Sequence, residues 1–87
     1  IFHRLFKKLF PDIERPHVVV VTKYPGADAQ TVATYVTLPL ERRLQTISLV
    51  RKITSTSSDG VSSIDVEFEY GKDINVAVVD VINELKK

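Results

Sequence analysis

Eighty-seven residues, 44% of them hydrophobic and 26% charged, allow one small globular domain near the lower end of what buries a useful core unaided. A formal net charge of +1 provides no field for steering nucleic acid or an anionic substrate, and the absence of cysteine excludes disulfides and thiolate metal sites. No run of about 18 apolar residues occurs, so nothing in the sequence reads as a membrane-spanning helix.

The chain opens on Ile1 to Phe10, where apolar residues recur in pairs every four, with His3, Arg4, Lys7 and Lys8 between them. This spacing has a helical or interfacial look, and leaves both a membrane surface and packing on the domain open as its setting. It lacks the long apolar core and small-residue cleavage site of a secretory signal. Pro11 and Pro16 bracket an extended lead-in, so residues 1–16 are expected to precede a single domain over 17–87. His3 and His17 lack a carboxylate or cysteine at ligand spacing and read as exposed residues near the start of the chain.

His17 to Tyr24 reads as a strand, and its four consecutive valines, Val18 to Val21, suggest burial on both faces at the centre of a sheet. Pro25-Gly26 ends it. Asp28 is the expected N-cap of a helix from about Ala29 to Thr46, with Val32, Tyr35, Val36, Leu40, Leu44 and Ile47 on one apolar stripe. Pro39 falls inside that stripe, and because the period resumes beyond it, a kinked helix is expected there.

Val50 to Ser57 is β-branched and polar, Asp59-Gly60 is a two-residue hairpin signal, and Val61 to Tyr70 alternates cleanly. Ile64, Val66, Phe68 and Tyr70 take one face, with Asp65, Glu67 and Glu69 on the other. A turn at Asp59-Gly60 sets Ile53 opposite Val66 and Lys52 opposite Glu67, one apolar pair and one of opposite charge. Gly71-Lys72-Asp73 then breaks the strand and caps a helix from Ile74 to about Lys86.

The order strand, helix, strand, strand, helix is the β-α-β-β-α portion of a ferredoxin-like α+β fold, with the final strand missing. The expectation is a three-stranded, mainly antiparallel sheet with both helices on one face. The last helix is too apolar for a surface helix. Ile74, Ala77, Val78, Val81, Ile82 and Leu85 supply one stripe, yet Val76 and Val79 lie on other faces. The missing strand or a neighbouring domain, and contact between subunits, both remain open as its cover.

No constellation for bond chemistry stands out. Asp65, Glu67 and Glu69 read as a solvated stripe facing Lys52 or its neighbours, with no nucleophile or base beside them. The serines around the hairpin lack a nucleophile-elbow context, and Gly26, Gly60 and Gly71 are isolated, so no phosphate-cradling loop is present. RNA binding on the sheet needs exposed aromatics in a basic surround, which the acidic alternation opposes. The sequence therefore predicts no enzyme, no cofactor and no nucleic-acid partner.

Phe10-Pro11-Asp12-Ile13-Glu14-Arg15-Pro16 and Tyr24-Pro25-Gly26-Ala27-Asp28 resemble the entry to the first periplasmic porter subdomain of resistance-nodulation-division (RND) efflux transporters. The resemblance continues through Val36-Thr37-Leu38-Pro39-Leu40-Glu41, Ile53 to Ile64 and Phe68-Glu69-Tyr70-Gly71-Lys72-Asp73-Ile74, and points to the hydrophobe and multidrug branch. At residues 6–8, Phe6-Lys7-Lys8 stands where the family carries a Leu-Pro-Val-like stretch.

The resemblance implies a periplasmic portion of a trimeric bacterial inner-membrane antiporter that exports amphiphilic compounds, with its proton-carrying residues on transmembrane helices outside this chain. It further implies a periplasmic adaptor and an outer-membrane channel as partners, beside the other subdomains of the same transporter. By motif position the last helix lines a central pore, with Asn75, Val79, Asn83 and Lys86 at the axial positions. Val21, Val61 and Ser63 occupy the strand positions that match the family's substrate path, where ordinary sheet-face packing is the competing reading. A free-standing ferredoxin-like ligand-binding or oligomerisation module is the alternative for the whole chain. An acylphosphatase-like enzyme ranks last, since Pro25-Gly26-Ala27-Asp28 offers no anion-binding arginine.

Overall fold

The computed structural model describes residues 2–8 and 15–87, with Leu5 the one described side chain in the first of these segments. An antiparallel sheet is built from β1 (Phe2–Lys8), β2 (His17–Lys23), β3 (Val50–Ser58) and β4 (Val61–Phe68) in the order β1-β2-β4-β3. Helical structure runs from α1 (Ala29–Val32) through a π-helical turn (Ala33–Thr37) into α2 (Leu38–Leu44), and α3 (Ile74–Leu85) follows the sheet. The α+β arrangement with β2, β3, β4 and the helices is compatible with the expected partial ferredoxin-like fold.

Period-two alternation explains the central pair. Val18 and Val20 of β2 and Ile64, Val66 and Phe68 of β4 are fully buried under the helices, whereas Val19, Val21, Ser63, Asp65 and Glu67 are half-buried on the opposite face. The valine run is therefore central, as expected, but only its even-numbered members reach full burial. Val32, Val36, Leu40, Leu44 and Ile47 close the core from the α1–α2 side, and Ala77 and Val81 from α3.

The hairpin forms in the predicted register, with Ile53 opposite Val66 and Lys52 opposite Glu67. The expected charge pairing is displaced by one residue. A bulge between Val50 and Lys52 leaves Arg51 as the extra residue, and Arg51 takes Glu67 as its ion-pair partner. Gly60 adopts φ 73°, the left-handed region that glycine enters without a Cβ penalty.

Both predicted N-caps are present. Asp28 accepts the Thr31 N–H at 2.8 Å, and Asp73 accepts the Asn75 N–H at 2.8 Å and the Val76 N–H at 3.4 Å. The break at Pro39 takes the form of a π-helical turn. Proline has no N–H to give the carbonyl four residues back and its ring crowds that carbonyl, so widening the preceding turn relieves both problems. Tyr35, expected on the buried stripe, is instead 72% exposed: at about 100° per residue it lies about 120° from the centre of the stripe that Val32, Val36, Leu40, Leu44 and Ile47 form.

Two further expectations are corrected. Phe2–Lys8 is a strand, not a helix, paired antiparallel with β2 at the edge that a final strand would otherwise take. Ten residues seldom sustain a helix alone, and an open sheet edge offers a full ladder of backbone hydrogen bonds. Tyr70 lies beyond the end of β4 and is 58% exposed, with the Arg15 guanidinium 4.4 Å from its ring centroid. Residues 9–14, which contain most of the expected extended lead-in, and the His3 side chain lie outside the described residues.

Phe68→Ala empties a site with no solvent exposure and is expected to cost about 3–5 kcal/mol, measured as the shift in urea unfolding free energy. The Asp28 carboxyl is held below its ordinary value of 3.8, first by the Thr31 backbone N–H and then by the Thr31 hydroxyl. A depressed carboxylate stabilises the fold above the ordinary value and loses that contribution as pH falls through the lower, folded-state value. Acidification below about pH 4 is thus expected to lower the protection factor of the Thr31 amide, its intrinsic exchange rate over the observed rate at the same pH, before it affects the core.

Candidate functional site

Two uncovered surfaces stand on opposite sides of the domain. The first is the sheet face away from the helices. Alternation along β2 and β4 directs Val21, Val61 and Ser63 to this same face, all half-buried. Val21 stands directly opposite Ser63 across the β2–β4 pair, Ser63 opposite Thr56 across the β3–β4 pair, and Val61 opposite Lys23. The three predicted path positions form one patch, extended along β2 by Val19.

The same face ends in charge. His17 Nδ1 lies 2.9 Å from Asp65 Oδ1, and His17 Nε2 lies 3.5 Å from Glu67 Oε1. Arg51 joins Glu67 and, at 3.7 Å, Glu69, whose carboxylate is also 3.8 Å from Arg15. Sequence spacing missed this arrangement, because 48 residues separate His17 from Asp65 and only the sheet register brings them together. His17 is accordingly half-buried and not the exposed residue expected. The partners of the acidic stripe are His17, Arg51 and Arg15. Among the described residues, no group of three or more histidine, cysteine or carboxylate side chains is arranged to hold a metal ion.

The second surface is the outer side of α3. Asn75, Val79, Asn83 and Lys86, the predicted axial positions, are all exposed. Val76, Val79 and Ile82 remain 49%, 54% and 37% exposed beside them, while only Ala77 and Val81 are fully buried on this 12-residue helix. The extra apolar face thus has no cover within the described part of the domain.

Two of the motifs that carried the resemblance meet at one end of the sheet. Tyr24 donates its N–H to the Gly60 carbonyl at 2.7 Å, and Gly60 donates its own to Ala27 at 2.8 Å. The Ala29 N–H reaches Asp59 Oδ1 at 2.9 Å. Tyr24-Pro25-Gly26-Ala27-Asp28 and Ser58-Asp59-Gly60 are therefore one interlocked structure. They border a wide, open depression of about 570 Å³, lined by Lys23, Pro25, Asp28, Asp59 and Val61 among others. Asp28 and Asp59 are already engaged by backbone N–H groups, so these carboxylates hold the turns. Among the described residues, no helix is long and apolar enough to cross a membrane.

Comparison with known proteins agrees with the motifs. Residues 2–87 match the model of the AcrB/AcrD/AcrF family. The chain is 37% identical over 76 residues to the swarming motility protein SwrC of Bacillus subtilis (strain 168), covering 87% of this chain and 7% of that protein. It is 44% identical over 71 residues to the multidrug resistance protein MdtC of Yersinia pseudotuberculosis serotype O:1b (strain IP 31758), covering 82% of this chain and 7% of that protein. The MdtC of Yersinia pestis bv. Antiqua (strain Angola) matches to the same extent. The chain spans about 7% of the length of these curated relatives. With the family model matching it from residue 2 to residue 87, the chain belongs to the AcrB/AcrD/AcrF family of RND transporters, as a porter fragment.

Proposed function

We propose that the chain is the first periplasmic porter subdomain of a proton-driven efflux transporter and works by moving, not by bond chemistry. The observation that carries this reading is the outer side of α3. All four positions expected on a threefold axis are exposed on a helix whose uncovered residues include Val76, Val79 and Ile82. Three large apolar side chains exposed on one side of a helix in an otherwise well-filled small domain call for a partner surface. In a homotrimer, three copies of α3 converge and cover one another there.

The open sheet face takes the second role. Val21, Val61 and Ser63 offer an apolar surface with one hydroxyl, suited to amphiphilic compounds that slide along it without strong binding. Substrate passage follows from rigid-body rocking of the subdomain against its neighbours, which opens and closes pockets at their boundaries. MdtC is named a multidrug resistance protein, which supports export of drugs as the task. In this reading the chain is no enzyme and takes no cofactor. Proton transfer belongs to membrane-embedded parts of the longer protein, and a periplasmic adaptor and an outer-membrane channel complete the assembly.

The full-length transporter tests both surfaces. A single cysteine replacing Val79 is expected to cross-link between copies, and one replacing Val81, buried in the core, is not. Ser63→Trp is expected to raise the substrate concentration for half-maximal dye efflux by about tenfold at unchanged expression. Absence of the Val79 cross-link refutes the axial contact, and unaltered efflux in Ser63→Trp refutes the sheet-face path.

The two sides of α3 also differ in what they tolerate. Val79→Asp on the exposed side is expected to change unfolding free energy by less than about 0.5 kcal/mol. Val81→Asp, two residues away and fully buried, is expected to cost more than about 3 kcal/mol. Urea titration of the two variants reads the difference.

A further inference from the structure

Lys72 is the least ordinary residue of the domain. Its side chain is only 5% exposed, and the ammonium meets three acceptors: Asp80 Oδ2 at 2.8 Å, the Ser48 carbonyl at 3.1 Å and Ser48 Oγ at 3.3 Å. An ammonium has three donors, so this one is fully used. It also lies 5.4 Å from the Phe68 ring centroid, over the most deeply buried aromatic ring of the core. Ser48 belongs to the turn after α2, where Leu49 holds φ 66°, a left-handed conformation costly for a leucine. The Leu49 carbonyl accepts the Glu69 N–H at 2.8 Å, so this strained turn is tied to the end of β4 twice, once through backbone and once through Lys72.

The apolar pattern of α3 does not by itself fix how the helix is rotated. At about 100° per residue, the apolar side chains run from Ala77 round through Val81, Val78, Ile82 and Val79 to Val76, an arc of about 260°. The domain buries Ala77 and Val81 fully and packs Ile74, Val78 and Leu85 partly against the core, which leaves the Ile82, Val79 and Val76 end of that arc exposed. Turning the helix toward Ile82 would replace Ala77 by a larger apolar side chain, so hydrophobic burial alone does not select the observed setting. Asp80 lies just beyond the Ala77 edge of the arc, on the side away from Ile82, and it is Asp80 that Lys72 grips. Asp73, next to Lys72 in sequence, caps the first turn of the same helix. α3 is pinned at its start and again two turns along it, on one side.

We infer that Lys72 is a positioning residue that selects the rotational setting of α3 through Asp80. An enclosed ion pair contributes little net stability, but it disfavours arrangements that leave either charge buried alone, which is how such pairs specify register. Rotation toward Ile82 would withdraw Asp80 and strand the Lys72 ammonium against Phe68. The inference goes beyond the axial-contact reading, since it concerns α3 relative to its own sheet whether or not three copies meet there.

The test is thiol labelling of single cysteines at Ala77 and Ile82 in the full-length transporter, in wild type, Lys72→Met and Lys72→Met/Asp80→Leu backgrounds. The double variant removes both charges at similar volume, so it remains informative if Lys72→Met alone folds poorly. The expected result is opposite changes, with labelling rising severalfold at 77 and falling severalfold at 82. An unchanged pattern in both backgrounds, or a rise at both positions, overturns the inference, the latter because general loosening raises every rate together. A missing Val79 cross-link in wild type bears on the axial reading alone and leaves this comparison intact.

Discussion

Everything else in the domain hangs on the antiparallel pairing of β2 with β4. Both strands carry a strict two-residue alternation, and the register sets Val18 against Val66 and Val20 against Ile64 on the helix side. A slip of one residue would turn Asp65 and Glu67 into the core and expel Ile64, Val66 and Phe68, which no part of the domain could compensate. The same register fixes the far face, including the meeting of Val21 with Ser63 and of His17 with Asp65. The core and the candidate substrate face are thus two consequences of one pairing.

The helices respond to that sheet in different ways. The α1–α2 run contributes long side chains, Leu40 and Leu44 among them, and reaches the sheet through a buried hydroxyl cluster as well. Thr37 Oγ1 lies 2.6 Å from Ser62 Oγ and 2.8 Å from Ser57 Oγ, which satisfies polar groups that would otherwise be stranded under the π-helical turn. α3 packs through smaller residues and leans on polar anchors. This asymmetry fits a helix whose apolar surface serves two masters, the domain's own core and whatever lies outside it.

Local chemistry was legible in the residues, and long-range placement was not. The Asp28 and Asp73 caps, the Asp59-Gly60 turn and the pairing of Ile53 with Val66 follow from interactions within a few residues, or from a period that leaves one choice. The exposure of Tyr35 was hidden because its position at the edge of the apolar stripe lets the same spacing fit a buried or an uncovered side chain. Phe2–Lys8 was misread because paired apolar residues every four suit a helix, while the vacancy beside β2 is a property of the sheet. The positions proposed for a substrate path and for a threefold axis came from family motifs. The structure adds that each set is contiguous and accessible, while the His17–Asp65 and Lys72–Asp80 contacts appear only once the chain is folded.

The interlocked turns at Tyr24–Asp28 and Ser58–Gly60 have a consequence for how such a domain can diversify. Surface loops ordinarily absorb insertions and deletions, because their backbone groups face water. Here the backbones of the two turns complete each other's hydrogen bonds, and Gly60 at their junction holds φ 73°, where any side chain would be strained. Adding one residue to either would break bonds in both. These two turns therefore belong with the core in their intolerance of length change, and variation between relatives has to find its room elsewhere on the surface.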